Sequence, residues 1–177
     1  GLSLLFCWTI LSVQSQPLSF YQEEYKAGHF SMVAKSLDSL SKCCPSFNQS
    51  DPDSWSFLYA NSKMKTGKFS EAKALYEAIS FKPEEYPLHY GICLMKNNLF
   101  EEAFKQLNGY YAGHEEDYKA TYWLGECYYY LQKPKEALRI LQRAIDAFPE
   151  DPEAYYLMGI IYTERSDYEK SFLYFQA

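Results

Sequence analysis

The sequence predicts an all-α fold, a solenoid of stacked helix pairs, and three observations predict it. Small residues recur at a step of 34: Gly91, Gly125 and Gly159 keep it, and so do Ala103, Ala137 and Ser171. Bulky residues keep the same step at Leu107, Leu141 and Phe175, and again at Leu94, Tyr128 and Tyr162. The stretch Tyr118 to Asp151 shows the third, a complete unit with its own start and stop signals. A period of this length with two small slots between bulky ones is the signature of a helical-pair repeat. Two helices that cross closely need a residue with no side chain, or only a methyl, at the crossing. Gly125 and Ala137 supply it, while Tyr128, Leu141 and Ala144 fill the space around the contact. Pro149 sits where the second helix has to stop. Asp151-Pro152-Glu153 then restarts a helix: Asp caps, Pro suits the first helical position, and Glu complements the positive end of the dipole. A unit of this kind cannot bury its apolar face alone, so neighbours must stack.

These residues resemble the tetratricopeptide repeat (TPR) family, whose pattern runs W-x2-L-G-x2-Y, then A-x3-F, A and a closing Pro. Leu124, Gly125, Tyr128, Ala137, Leu141, Ala144 and Pro149 stand on the matching positions, with Thr121 in place of the opening Trp. The resemblance implies a right-handed superhelical solenoid of stacked helix-turn-helix TPR units, about five here, with the outer two imperfect.

Taken in order, residues 1–15 are uncharged and almost wholly apolar, and Val13-Gln14-Ser15 suits cleavage before Gln16. The run has the length of a signal-peptide core and is short for a membrane span, so a signal peptide or hydrophobic anchor, and hence export, is expected. Residues 16–50 read as a divergent first unit, with Gly28 and Phe30 at its turn, Val33, Leu37 and Leu40 on its second helix, and a loop from Cys43 to Ser50. Residues 51–83 form the second unit, opened by Asp51-Pro52-Asp53 and closed by Pro83. Units at 84–117 and 118–151 follow, and 152–177 is a truncated fifth. In the third, Gly109 and Gly113 predict that a helix ends early, at Gly109. The chain starts without Met and stops inside a unit, so it reads as a piece of a longer protein.

Composition narrows the function. A hydrophobic share of 47% argues against disorder, and an aromatic share of 19% suits interlocking repeat slots. With a net charge of −6 and no Lys/Arg run, no nucleic acid is expected as a partner. There is no G-x-S-x-G, P-loop, dinucleotide fingerprint or H-E-x-x-H, and no Cys/His set with metal spacing, so neither enzyme activity nor a cofactor or metal is expected. His29, His89 and His114 are isolated. The acidic clusters at 84–85, 101–102 and 115–117 fall near helix starts, where the dipole favours carboxylates. Cys93 and Cys127 share one slot in adjacent units and read as small core residues, set roughly 8–10 Å apart and beyond disulfide reach. Cys43-Cys44 could pair with a partner, pair with each other or stay as thiols, and Asn48-Gln49-Ser50 is a glycosylation triplet if the host uses it.

The resemblance further implies that the first helix of each unit lines a concave groove. Carried over by position, the second unit offers Phe57, Asn61 and Met64, and the third Leu88, Ile92 and Met95 with Lys96. The fourth offers Lys119, Tyr122, Glu126, Tyr129 and Tyr130, and the fifth Tyr156 and Ile160 with Glu153 and Glu164. The subclass that clamps a peptide C-terminus uses Lys, Asn and Arg from several units. Asn61 and Lys119 fit two of those positions, but Phe57, His89 and Trp123 occupy others, which would leave a carboxylate under-coordinated. An apolar groove rich in Tyr and Met suits an amphipathic helix or an extended apolar segment of a protein partner. The expected function is a non-catalytic scaffold presenting that groove. A docking module of a longer enzyme and a self-association module are the alternatives, with a membrane involved only through the uncleaved N-terminal segment.

Overall fold

The computed structural model describes residues 16–43 and 51–177, and these form ten α-helices and no strand. The fold class is the expected all-α solenoid of helix hairpins. Residues 1–15, Cys44 and the 48–50 triplet lie outside the described residues. Contacts divide the chain into two compact units, Gly1–Pro83 and Glu84–Ala177.

The first unit holds α1 (Leu18–Lys26), α2 (Phe30–Cys43), α3 (Pro52–Lys65) and α4 (Phe69–Glu77). Tyr21, Val33, Leu37, Leu40, Trp55 and Leu58 form its core. Helix α3 starts as the sequence predicts: the Asp51 carboxylate accepts the Ser54 N–H at 3.2 Å, with Pro52 in the first turn. Asp53 reaches further and accepts the backbone N–H groups of Ser80 (2.9 Å) and Phe81 (2.8 Å), tying the end of the hairpin to its beginning. Ala60 and Ala72 are fully buried, the small residues that let α3 and α4 approach.

The second unit holds α5 (Tyr86–Lys96), α6 (Phe100–Tyr111), α7 (Tyr118–Tyr130), α8 (Pro134–Ala147), α9 (Pro152–Glu164) and α10 (Tyr168–Gln176). One cluster centres on Leu94, Ala103, Leu107, Leu124 and Ile140, and a second on Leu141, Ala144, Leu157, Met158 and Ile161. The repeating glycines hold equivalent places. A Cβ on Gly91 would lie 2.7 Å from Leu107, on Gly125 2.8 Å from Leu141, and on Gly159 2.5 Å from Phe175. Each marks the crossing within its hairpin. Cys93 and Cys127 are both fully buried, and burial pushes the Cys127 thiol up to about 12.

All five hairpins turn in one way. The second residue after the first helix is left-handed: Gly28 (φ 87°), Gly67 (78°), Asn98 (59°), Gln132 (57°) and Ser166 (61°). The next N–H then returns to the helix, as in Leu99 to the Leu94 carbonyl (3.0 Å), Lys133 to Tyr128 (3.0 Å) and Asp167 to Tyr162 (2.9 Å). This is the glycine-type helix stop.

Gly109 corrects the sequence reading. Helix α6 runs through it to Tyr111. Glycine costs a helix about 1 kcal/mol, whereas Tyr110 and Tyr111 beside it are 8% and 7% exposed. Burying such a side chain is worth roughly 1.5–3 kcal/mol, so tertiary packing overrides the local preference.

Candidate partner-binding face

In the second unit the first helices of successive hairpins are neighbours, with α7 touching both α5 and α9. These three helices carry the candidates Ile92, Lys119, Tyr122, Glu126, Tyr129, Tyr130, Tyr156 and Ile160. Helix α7 is fixed at its start by Asp117, whose carboxylate accepts the N–H groups of Lys119 (2.8 Å) and Ala120 (3.3 Å). Thr121, in the slot where the family carries Trp, is buried and donates its hydroxyl to the Asp117 carbonyl at 2.9 Å.

Aromatic rings cover this face. Tyr122 stacks on Tyr118 and meets Trp123 edge-on, with centroids 6.1 and 5.5 Å apart. Tyr130 lies flat on Phe100 at 4.7 Å and is 45% exposed, while Tyr156 is 62% exposed. Tyr129 donates its hydroxyl to Glu164 at 2.6 Å. That hydrogen bond, with burial, pushes its phenol up to about 12. Lys96 lies over the Trp123 ring at 4.8 Å.

One polar atom here lacks a donor: the Glu126 Oε2 is sealed from solvent with no hydrogen-bond partner. Burial raises the Glu126 carboxyl above its ordinary value; Lys96 opposes the rise and Glu153 adds to it. Tyr118 is raised by burial and then by its hydrogen bond to Asp151, whose Oδ1 also accepts the Glu153 N–H at 3.0 Å. The Tyr122 phenol is raised by burial and then by Glu126 and Glu153.

Not every sequence candidate reaches this face. Leu88 and Met95 are each 5% exposed and belong to the core of the second unit, so they offer a partner no surface. Asn61, of the first unit, is also 5% exposed, and its Oδ1 accepts the Tyr76 hydroxyl at 2.5 Å. These three assignments are corrected: slot position fixes the direction of a side chain along its own helix, but neighbouring helices decide its depth. Phe57 and Met64 are half-buried, with the Phe57 ring 6.1 Å from Tyr76. Sequence reasoning missed Phe100, whose contact with Tyr130 has no counterpart in the repeat pattern. It also missed the stacking of Lys96 on Trp123. Another apolar and aromatic surface lies on α10, where Tyr168, Phe172, Leu173 and Phe175 are exposed.

Among the described residues no cluster could hold a metal ion, and no helix is long and apolar enough to cross a membrane. A surface depression of about 500 Å³ is lined by residues 147–152 alone and includes none of the candidates.

The family profile described as Tetratricopeptide repeat matches residues 94–161. No curated protein matches the chain in sequence. Among solved structures, MamA (residues 41 to the end) from Desulfovibrio magneticus RS-1 is similar, with a TM-score of 0.73 and 17% identity over 89% of this chain and 88% of that one. MamA of AMB-1 superposes with a TM-score of 0.71 and 16% identity, covering 89% and 92%. YrrB, described as a TPR protein with an unusual peptide-binding site, gives a TM-score of 0.67 and 18% identity, covering 89% and 80%. Residues 94–161 thus carry the tetratricopeptide-repeat pattern, and helix hairpins of the same kind lie on either side of them.

Proposed function

We propose that the protein is a non-catalytic scaffold that takes a protein or peptide segment on the face formed by α5, α7 and α9. The observation that carries this reading is an aromatic and apolar surface left open to solvent, with Tyr130 and Tyr156 as its most exposed members. Rings of this kind bring large contact area at low entropic cost, and they suit apolar helices or extended segments. The peptide-binding site named for YrrB supports the choice of ligand class. Peptides selected from a random display library on the wild-type protein supply the test. The double variant Tyr130→Ala, Tyr156→Ala is expected to lose their binding at least tenfold while its helical circular dichroism and melting temperature stay close to wild type. Undiminished binding would remove this face from consideration.

We also infer export, on the strength of the uncharged residues 1–15 and the small residues before Gln16. A secreted or periplasmic mature chain beginning at Gln16 is the expected result of N-terminal sequencing, and a cytoplasmic protein retaining Gly1 would contradict it.

A further inference from the structure

Glu126 stands in the middle of the candidate face with a need its own chain does not meet. Its Oε2 has lost its water and gained no hydrogen-bond donor. A carboxyl oxygen in that state costs free energy unless a donor reaches it. The cation felt there does not serve: Lys96 forms no ion pair with Glu126 and lies on the Trp123 ring. The other groups facing Glu126 are unhelpful or repulsive, since Tyr122 and Glu153 bring a phenol and a second carboxylate. The local field is therefore negative, in a chain whose net charge is −6.

Resting on the reading of this face as a peptide-binding surface, we propose that the segment it accepts carries a lysine or arginine, set among apolar residues, whose cationic head is received by Glu126. Charge complementarity selects this occupant. Glu126 as a residue is only half-buried, so its carboxylate can turn to meet an ammonium or guanidinium, which brings several donors to a group that has none, and a charge-assisted bond is stronger than a neutral one. The surrounding rings suit the rest of the side chain: Tyr122 and Tyr130 offer apolar surface to its methylenes and π-faces to its charge. An acidic segment would meet Glu126 and Glu153 together and is disfavoured.

The test is a random 12-residue peptide display library panned in parallel on wild-type protein and on Glu126→Gln, a substitution that keeps shape and removes the charge. Peptides from the wild-type arm should be enriched in one Lys or Arg within an apolar context, and the enrichment should vanish on Glu126→Gln. A selected peptide resynthesised with norleucine in place of its lysine should bind wild type at least tenfold more weakly and bind Glu126→Gln unchanged. This ligand-side comparison also holds if the variant is poorly behaved. Apolar peptides selected equally on both proteins, without a basic preference, would overturn the role of Glu126 while leaving the binding face standing. Selection of acidic peptides would overturn it as well. Failure of any peptide to be selected would remove both.

Discussion

At Lys63 a full positive charge is held inside the first unit, with only 2% of the side chain exposed. Asp38 of α2 approaches its Nζ to 2.5 Å and Glu71 of α4 to 2.6 Å, so three helices meet through one ammonium. Tyr59 donates its hydroxyl to the same Asp38. Burial pulls Lys63 down, but the hydrogen bonds to Asp38 and Glu71 outweigh it and raise the group overall. Burial would raise Asp38, yet Lys63 and Tyr59 bring it below its ordinary value, and Lys63 does the same to Glu71. The signs set the pH window. Carboxylates depressed in the folded state give their full contribution above the ordinary carboxylate range and lose it as pH falls through their folded values. The raised lysine contributes fully below its ordinary value and loses that contribution as pH rises past its folded one. Replacing Lys63 by Met is expected to cost about 1–3 kcal/mol at neutral pH, since charged hydrogen bonds are lost while both carboxylates keep some access to water. Chemical denaturation at neutral pH and at about pH 2 checks it: the deficit should shrink in acid, and an equal deficit at both would show that packing alone was lost. Nothing in the repeat pattern revealed this cluster, because its three members come from three helices and share no spacing.

Among the helices, the turns offer the sharpest comparison. The left-handed residue that closes each hairpin is glycine in the first two and Asn98, Gln132 and Ser166 in the rest. A side chain there crowds the following carbonyl at a cost of about 1–2 kcal/mol, which asparagine partly avoids. Glycine adds entropy to the unfolded chain, which returns roughly 0.5–1 kcal/mol of that gain. Gln132→Gly and Ser166→Gly are each expected to stabilise by about 0.5 kcal/mol, and Asn98→Gly by less. Differential scanning calorimetry of the three variants tests the order, and a lower melting temperature for Gln132→Gly would contradict it. These turns also show where the sequence was legible. Gly28 and Gly67 mark theirs openly, while the others are found only because a fixed period places them in register. Gly109 misled for the opposite reason, since a residue that breaks helices in isolation is carried by the buried tyrosines after it.

For the molecule as a whole, periodicity carried the assignment. Gly91, Gly125 and Gly159 occupy matching crossings, so a rule read from spacing alone placed the interior of the second unit. Small-residue slots survive translation from sequence to structure because a close helix crossing tolerates few alternatives. The partner face translated less fully. Tyr130 and Tyr156 are open to solvent while Leu88, Met95 and Asn61 are enclosed, and only the packing of neighbouring helices separates the two groups. Glu126 was placed by its slot, but its unmet oxygen could be seen only with its surroundings in place.

The matched crossings also constrain how such a chain can change. At Gly125 the room left by the absent side chain is already taken by Leu141, sixteen positions further on, just as Leu107 takes it at Gly91. Volume at each crossing is thus shared between two residues, and a methyl gained by one has to be surrendered by the other. At Gly159 the same room is taken by the Phe175 ring. Drift is therefore expected to be paired at all three crossings.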